Sequence, residues 1–445
     1  MTKLFGTDGI RAEAGSFPLD EATVFLIGRS LARWMTERLG RAPRFVTGRD
    51  TRESGAWIER EFLRGAKSRE AVCESAGVIT TPGVAFVTAE FDFDLGIVIS
   101  ASHNPFYDNG IKAFLPSGRK IDDELERLVE SDIENDAADA SGTFEIDVSN
   151  EGEFRRAYLD HLTGGHGASL EGCRIAIDCA NGAASNLAPL LFRGLGATVT
   201  SFNDRPDGRN INENCGSLHL DQLQAKVAEF GADLGVAFDG DADRALFVDE
   251  KGNIVDGDAT LWIMAKAMQD RGELASGKVI ATVMSNVGLE IALKSKGIEL
   301  VRTAVGDKYV LDELLKSGAE IGGEQSGHII LPKNSLVGDG MMTALRVFRV
   351  VAESGRPFSK AVEGFQRYPQ ILVNVKVGKK KPFDEVDAIR KAAAETENVL
   401  AGQGRLLLRY SGTENLARVM IEGQDQEQIE GLANALAETI KTALQ

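Results

Sequence analysis

The sequence predicts an α/β protein with three related mixed α/β domains and a smaller C-terminal α+β domain. Short β-rich runs followed by helical patterns occur three times, and each repeat later carries an acidic residue, an aliphatic residue and a glycine. Strands alternating with helices indicate parallel sheets, whose ligands gather at the carboxyl ends of the strands. From Tyr368 onward the pattern changes to strand, helix, two strands and a terminal helix.

Each repeat begins with a short apolar strand, predicted over residues 44–46, 174–177 and 278–281. The later triplets are Asp94-Leu95-Gly96, Asp233-Leu234-Gly235 and Glu320-Ile321-Gly322. The strand that follows each triplet ends in a polar or small-residue loop, at residues 100–105, 239–244 and 323–328. We therefore expect these loops to occupy equivalent positions and to face a shared central cleft.

Helical periodicity and capping residues place the main helices. Asp20 caps a helix that runs through Arg38 and buries one face, formed by Val24, Ile27, Leu31 and Met35. Further helices are predicted over residues 286–296, 307–317, 338–353 and 383–397, and from the last strand to the end of the chain. The predicted domains cover residues 1–153, 154–255, 256–366 and 367–445.

Composition narrows the class of protein. A chain of 445 residues is too long for one hydrophobic core. Its net charge of −17 argues against nucleic acid or an anionic membrane surface as partner. Four cysteines without a C-x-x-C pair argue against a zinc site or a disulfide framework. No apolar run approaches the ~20 residues of a membrane span, and the N-terminus lacks a signal-like segment, so we expect a cytoplasmic protein.

The loop after the second triplet carries three carboxylates on alternate residues, Asp239, Asp241 and Asp243. Three crowded acidic groups favour a bound cation, and hard oxygen ligands favour magnesium or calcium over zinc. A solvated acidic turn is the simpler alternative. An EF-hand loop is excluded, because Arg244 occupies the position where that loop requires glycine. Arg244 indicates that an anion, most simply a phosphate, shares the site.

Six motifs in order resemble those of the α-D-phosphohexomutase superfamily. They are Gly6-Thr7-Asp8-Gly9-Ile10-Arg11, Gly48-Arg49-Asp50-Thr51-Arg52, the loop 100–105, the loop 239–244, the loop 323–328, and Arg409-Tyr410-Ser411-Gly412-Thr413-Glu414. With Arg418 they extend over nearly the whole chain. Ala12, Lys308 and Asn415 depart from the family pattern, which usually has glycine, arginine and proline there.

The resemblance implies a phosphorylated Ser102, and one Mg²⁺ bound by Ser102 and the three aspartates. It makes Lys112 and Arg11 candidate general bases, although the residues alone would equally allow a surface lysine and a structural salt bridge. His103 is expected to hydrogen-bond near the phosphoserine. A serine hydrolase is disfavoured, because adjacent Ser102 and His103 side chains rarely converge and no G-x-S-x-G elbow surrounds them.

The resemblance also assigns substrate contacts. It implies that Glu324 and Ser326 bind the sugar hydroxyls. A further substrate loop is formed by Gly306, Asp307 and Lys308. The phosphate that is not reacting is assigned to Arg409, Ser411, Gly412, Thr413 and Arg418.

The activity implied is interconversion of glucosamine 6-phosphate and glucosamine 1-phosphate through a bisphosphate that reorients. This reaction feeds UDP-N-acetylglucosamine and cell-wall precursor synthesis. Gln325 and the opening Phe5-Gly6-Thr7-Asp8-Gly9 favour the glucosamine branch over the phosphomannomutase/phosphoglucomutase branch. The resemblance implies hexosamine phosphates as partners, glucosamine 1,6-bisphosphate as activator, and a homodimer. The alternatives are a mutase for neutral hexose phosphates, a non-catalytic sugar-phosphate sensor, and a metal-dependent phosphatase.

Overall fold

The computed structural model describes residues 3–6, 8–136, 146–164, 169–411 and 415–445. The chain divides into two compact units. The first contains residues up to 284 and residues 300–363, and the second contains residues 285–299 and 364–445. Among the described helices, none is long and apolar enough to cross a membrane.

The first domain is built on a five-stranded mixed sheet of order β1-β5-β4-β2-β3. Strand β2 pairs parallel with β3 and β4, whereas β5 pairs antiparallel with β4 and β1. The elements are β1 (Ile10–Glu13), α1 (Glu21–Leu39), β2 (Arg44–Arg49), α2 (Gly55–Lys67), β3 (Val72–Val78), α3 (Thr81–Glu90), β4 (Leu95–Ile99), β5 (Asp108–Phe114) and α4 (Asp123–Asn135).

The second domain repeats this plan with the order β10-β9-β8-β6-β7. Strand β6 pairs parallel with β7 and β8, and β9 pairs antiparallel with β8. The elements are α5 (Glu151–Thr163), β6 (Arg174–Asp178), α6 (Ala188–Gly194), β7 (Thr198–Phe202), α7 (Asp221–Phe230), β8 (Leu234–Phe238), β9 (Ala245–Asp249) and β10 (Ile254–Val255).

The third sheet is smaller, with the order β12-β11-β13-β14. Strand β11 pairs parallel with β13, and β13 pairs antiparallel with β14. The elements are α8 (Gly257–Asp270), β11 (Lys278–Thr282), α9 (Val287–Ser295), β12 (Glu299–Thr303), α10 (Asp307–Ser317), β13 (Gly322–Gly323), β14 (Ile329–Ile330), α11 (Gly340–Ser354) and α12 (Phe358–Ala361). Helix α9 belongs to the second compact unit.

The C-terminal segment folds as an antiparallel three-stranded sheet of order β15-β17-β16 with two helices. Its elements are β15 (Gln370–Lys376), α13 (Asp387–Leu400), β16 (Arg405–Tyr410), β17 (Leu416–Glu422) and α14 (Gln426–Ala443). Apolar residues of both helices and of the sheet form its core, among them Ile389, Val419 and Ile440. The predicted α+β character of this segment is confirmed.

The predicted threefold repetition is also confirmed. Strands β4, β8 and β13 are the parallel neighbours of β2, β6 and β11. In the first two repeats the acidic residue fixes the start of the neighbouring strand. Asp94 accepts a hydrogen bond from the Arg44 amide at 2.8 Å, and Asp233 accepts one from the Arg174 amide at 2.9 Å. The three predicted loops therefore follow equivalent strand ends.

Helix boundaries differ from the prediction by small amounts with identifiable causes. Helices α9 and α11 begin at 287 and 340, because Asn286 and Asp339 are caps whose side chains accept from backbone amides. The helix predicted over 383–397 spans Asp387–Leu400, because a short 3₁₀ turn follows Pro382 and Val386 is extended. The cap at Asp20 and the buried face of α1 are as predicted.

Candidate active site

Ser102 lies in the loop after β4 and is fully buried. Its backbone is left-handed, with φ of 53°, which non-glycine residues rarely adopt. The conformation is held from inside the loop, because the Ser102 amide donates to Ser100 Oγ at 2.9 Å. Ser100 Oγ in turn donates to Asp50 Oδ2 at 2.6 Å. The serine is thus presented by a rigid turn.

Arg52 fixes the other side of this loop. Its guanidinium is fully buried and binds Asp50 Oδ2 through Nε at 2.9 Å. The terminal nitrogens donate to the carbonyl oxygens of Ser102 at 2.9 Å and Asn104 at 2.8 Å, and also bind that of Pro105. The motif at residues 48–52 therefore acts as a scaffold for the serine loop.

The acidic loop after β8 approaches the serine loop directly. Ser102 Oγ donates to Asp239 Oδ2 at 2.6 Å. The approach requires glycine at position 240, where an added Cβ would lie 2.5 Å from the Ser102 carbonyl oxygen. From the second domain, Asn212 Nδ2 donates to the same carbonyl oxygen at 2.8 Å. Two domains therefore meet at the serine.

The three aspartates of this loop form one buried cluster. Each offers a carboxylate oxygen, and these oxygens lie within 4.8 Å of one another. Burial and the adjacent carboxylates of Asp243 and Asp241 raise the pKa of Asp239 well above its ordinary value. One oxygen each of Asp241 and Asp243 is buried without a hydrogen-bond partner among the described residues. Orphaned carboxylate oxygens at this spacing fit a hard divalent cation.

Lys112 lies beside the cluster on β5 and is also buried. Its Nζ lies 3.0 Å from Asp241 Oδ2, 3.1 Å from Asp8 Oδ2 and 3.7 Å from Asp243 Oδ2. Burial opposes the charged form, but these three carboxylates together raise the pKa of Lys112 above its ordinary value. In this arrangement Lys112 is an ammonium ion.

Asp8 joins Lys112 to the other candidate base. Its carboxylate forms an ion pair with Arg11 and accepts from Lys120 Nζ at 2.8 Å. Despite burial, Lys112, Lys120 and Arg11 hold the pKa of Asp8 far below its ordinary value. Lys120 Nζ also donates to Asp307 Oδ2 at 2.7 Å, and thereby connects this group to the third domain.

His103 and Arg244 lie on the other side of the serine. His103 Nδ1 is 3.3 Å from Ser102 Oγ and 3.1 Å from Arg244 Nη1. Burial and the charges of Arg244 and Arg11 lower the pKa of His103 to about 4, so its ring is neutral at pH 7. The buried Arg244 Nε has no hydrogen-bond partner within the part of the chain that the structure describes. A guanidinium in this position suits an anion.

His328, at the end of the third loop, received no role from the sequence. It is buried, and its Nδ1 lies 3.6 Å from Asp243 Oδ2. Burial opposes protonation, but Asp243 outweighs it and raises the pKa of His328 to about 9. His328 therefore adds a positive charge to the acidic cluster from the third domain.

The third loop brings Glu324, Ser326 and Gly306 together. Glu324 Oε1 accepts from the Gly306 amide at 3.1 Å, and Oε2 lies 3.5 Å from Ser326 Oγ. Lys308 behaves differently, since its Nζ donates to the exposed Asp123 at 2.7 Å. Its role in phosphate binding stays a prediction.

In the second compact unit, Arg409 and Arg418 are directly opposite each other in the β16–β17 ladder. Like charges at opposed positions destabilise a sheet unless an anion neutralises them. Ser411 follows β16, and its carbonyl oxygen accepts from Lys380 Nζ at 2.7 Å. Gly412 and Thr413, predicted for the same role, lie outside the described residues.

Several residues near the serine were not assigned roles from the sequence. Their contacts join distant parts of the chain: Arg52 with residues 102–108, Asn212 with 102–104, and Thr81 Oγ1 with Asp241 at 2.5 Å. The spacing of residues along the sequence does not predict contacts between partners this far apart. The one available signal was the position of Arg52 inside a recognised motif.

The fold and this buried serine–carboxylate cluster define a phosphohexomutase-type protein. Family models for phosphoglucomutase/phosphomannomutase match the chain in four consecutive pieces. The α/β/α domains I, II and III match residues 2–140, 156–252 and 256–368, and the C-terminal domain matches residues 372–439. The chain belongs to the phosphoglucomutase/phosphomannomutase family.

Its curated relatives include proteins named phosphoglucosamine mutase. The protein from Solibacter usitatus is 47% identical over 438 residues, with 98% of each chain covered. That from Symbiobacterium thermophilum is 45% identical over 448 residues, with 100% of each chain covered.

Solved structures support the fold. A phosphoglucomutase/phosphomannomutase family protein from Burkholderia thailandensis has a TM-score of 0.81 at 23% identity, covering 100% of this chain and 98% of its own. Aspergillus fumigatus N-acetylphosphoglucosamine mutase, in complex with GlcNAc-6P and magnesium, has a TM-score of 0.68 at 19% identity, covering 99% of this chain and 96% of its own.

Proposed function

We propose that this protein is a phosphoglucosamine mutase, an isomerase that interconverts glucosamine 6-phosphate and glucosamine 1-phosphate. The observation that carries the proposal is Ser102 Oγ at 2.6 Å from Asp239, inside a buried cluster of three carboxylates. The full-length similarity to proteins named phosphoglucosamine mutase supports the same substrate. UDP-N-acetylglucosamine and cell-wall precursor synthesis would then lie downstream.

We propose that Asp239, Asp241 and Asp243, with an oxygen on Ser102, would hold one Mg²⁺. When bound, the ion would neutralise the phosphoryl group and make the serine oxygen a better leaving group. The orphaned oxygens of Asp241 and Asp243 support this assignment. The magnesium complex of the Aspergillus fumigatus protein agrees with it.

The proposed transfer breaks the P–O bond at Ser102 Oγ and forms a P–O bond to a sugar oxygen. The sugar hydroxyl gives up its proton, and the serine oxygen gains one. Lys112 and Arg11 are the proposed proton-handling groups. Because Lys112 is held as an ammonium ion, it would donate its proton to the serine oxygen as the P–O bond breaks, and the resulting amine would take up the proton that the sugar hydroxyl releases in the same transfer.

Substrate binding would divide among the remaining groups. Arg244 and neutral His103 would contact the reacting phosphate, and Glu324 and Ser326 would bind sugar hydroxyls near Gly306 and Asp307. The opposed pair Arg409 and Arg418, with residues 411–413, would bind the phosphate that is not reacting. Reorientation of the bisphosphate would exchange the two phosphates.

The test is mutase turnover of Ser102→Ala beside Ser149→Ala, an exposed serine distant from these motifs in sequence. Ser102→Ala should lower kcat by at least about 10³-fold while the protein still folds, and Ser149→Ala should match wild type. Turnover retained by Ser102→Ala would overturn the proposal.

Comparing kcat/KM for glucosamine and neutral hexose phosphates separates the two mutase branches. Stoichiometric phosphate release would indicate a phosphatase, and binding without turnover a sensor.

We propose glucosamine 1,6-bisphosphate as activator, a cytoplasmic location, a homodimer and no nucleic-acid partner. We also propose domain boundaries at residues 1–153, 154–255, 256–366 and 367–445.

A further inference from the structure

A cavity of ≈ 310 Å³ lies between the second half of α8 and the middle of α11. None of its lining residues belongs to the site around Ser102. Apolar side chains form part of the wall, including Met264, Met268, Leu331 and Val350. The volume is at the lower end of the ~300–1,000 Å³ range of small-molecule sites.

The charged part of the wall carries more cations than carboxylates, although the chain as a whole has a net charge of −17. Four cationic side chains line the cavity, namely Arg271, Lys333, Arg346 and Arg349, against the two carboxylates of Glu273 and Glu320. Glu353, beside the cavity, forms ion pairs with Arg271 and Arg349. Glu320 already accepts from Ser276 Oγ at 2.5 Å. Cations therefore exceed carboxylates even with Glu353 included.

Arg346 is half-buried, as is Arg349, whereas Arg271 and Lys333 are exposed. Arg346 Nη2 donates to the neutral side chain of Asn334 at 3.0 Å. Burial and the charges of Arg349 and Arg271, opposed in part by Glu273, lower the pKa of Arg346. An anion beside the guanidinium would offset both the burial and the repulsion.

We propose that this cavity binds a small organic anion, a phosphate or carboxylate on an apolar body. Its charged group would lie against Arg346 and its apolar part against Met264 and Met268. The ligand would need both a charged group and an apolar body, because the wall contains both cationic and apolar side chains.

The two helices that form the cavity begin at the candidate catalytic loops. The Gly257 amide, at the start of α8, donates to the Gln325 carbonyl oxygen at 3.0 Å. The Gly340 amide, at the start of α11, donates to the Ala242 carbonyl oxygen at 3.0 Å. Each helix is about 20 Å long. A ligand in the cavity that shifts either helix would also move the loop that is bonded to the start of that helix. The site would therefore alter kcat, a consequence that rests on the proposed mutase function.

The experiment is calorimetric titration of the full chain with phenyl phosphate and, separately, benzoate, in Mg²⁺ and saturating glucosamine 6-phosphate. Phenol serves as the uncharged probe. We expect saturable binding of at least one anion and none of phenol. Arg346→Gln should weaken binding by at least about tenfold, as for a lost charge-assisted hydrogen bond. Exposed Lys333→Gln gives a second variant, and Arg356→Gln, an exposed arginine paired with Glu363, is the matched control.

If neither phenyl phosphate nor benzoate binds at saturating substrate, the proposal of an anion site in this cavity is wrong, because these anions would then bind only where the sugar phosphate binds. Unchanged affinity in both Arg346→Gln and Lys333→Gln would overturn it as well. In the kinetic arm, the bound anion should change kcat at saturating substrate, and Arg346→Gln should remove the change. Binding without a change in kcat would overturn the coupling. The calorimetric titration tests anion binding to the cavity even if the protein proves not to be a mutase.

Discussion

At the scale of single residues, Ser102 depends on groups far away in the sequence. Its left-handed backbone is held by Ser100, which is itself fixed by Asp50, and by Arg52. Its buried hydroxyl donates to Asp239 of the second domain. Such a conformation persists only where the surroundings fix it. We infer that the fully buried ion pair of Arg52 with Asp50 positions the serine loop.

Arg52→Ala should therefore damage both stability and catalysis. Removing one partner of a buried ion pair leaves the other charge uncompensated and costs roughly 3–5 kcal/mol of the free energy of unfolding. Loss of the bonds to the Ser102 and Asn104 carbonyl oxygens should also lower kcat. Urea unfolding and mutase assays measure the two effects.

Arg209→Ala is the matched control for this change. Arg209 pairs with Glu53 on the exposed surface, where solvent screens the ion pair, so its removal should leave the free energy of unfolding close to that of wild type. An Arg52→Ala protein as stable and active as Arg209→Ala would contradict the scaffold role.

At the scale of elements, the contact between the serine loop and the acidic loop leaves no room for a side chain at Gly240. An added Cβ would lie 2.5 Å from the Ser102 carbonyl oxygen and 2.9 Å from Asn212 Nδ2. Gly240→Ala should push the loops apart, lower kcat and cost ~1–3 kcal/mol of unfolding free energy.

Gly152→Ala is the control, because an added Cβ there meets nothing within 4 Å. It should preserve kcat. If Gly240→Ala and Gly152→Ala have the same kcat at saturating Mg²⁺, the close contact between the serine loop and the acidic loop is not required for turnover.

The start of α11 carries a pH-dependent group. Asp339 caps the helix and accepts from Tyr158 OH at 2.9 Å, and burial raises the pKa of Asp339 to about 6. Between its unfolded value of 3.8 and about 6, the folded protein holds a proton that the unfolded chain releases. Stability from this group therefore falls as pH rises through this window, by roughly 3 kcal/mol at most.

Asp339→Asn keeps a capping side chain and removes the titration. The unfolding free energy of wild type minus that of this variant should decrease from pH 4 to pH 6 and stay constant above pH 6. Urea unfolding at four pH values measures it. A difference independent of pH would contradict the assignment to Asp339.

Sequence patterns predicted elements better than contacts between elements. The triplet beginning at Asp94 and the cap at Asp20 are local signals, and the structure confirms the repeated strands and the first helix. The association of α9 with the C-terminal unit was not predicted, because it depends on distant contacts such as Asn286 Nδ2 to the Tyr368 carbonyl oxygen at 3.0 Å. For the same reason, the motif at Ser102 was recognised but Asn212 was not.

At the scale of the whole molecule, the acidic cluster couples folding to metal binding. Its three carboxylates are buried and repel one another, so a divalent ion that binds only the folded state should stabilise the protein. At a hundredfold excess over Kd the gain is about 2.7 kcal/mol. Thermal midpoints with EDTA and with Mg²⁺ measure the difference.

Asp241→Asn should remove most of this response, since it deletes one ligand charge. Asp270→Asn, at the exposed end of α8, should respond like wild type. A Mg²⁺-dependent midpoint that persists unchanged in Asp241→Asn would place the ion elsewhere.

The role of Ser102 as the carrier of the phosphoryl group during turnover can be measured on the protein itself. The most direct measurement is peptide mass spectrometry after incubation with Mg²⁺ and glucosamine 1,6-bisphosphate, followed by a chase with glucosamine 6-phosphate. We expect one phosphoryl group on Ser102, which the chase removes as sugar bisphosphate. A phosphoryl group on another residue, or turnover by a protein never phosphorylated at Ser102, would contradict it.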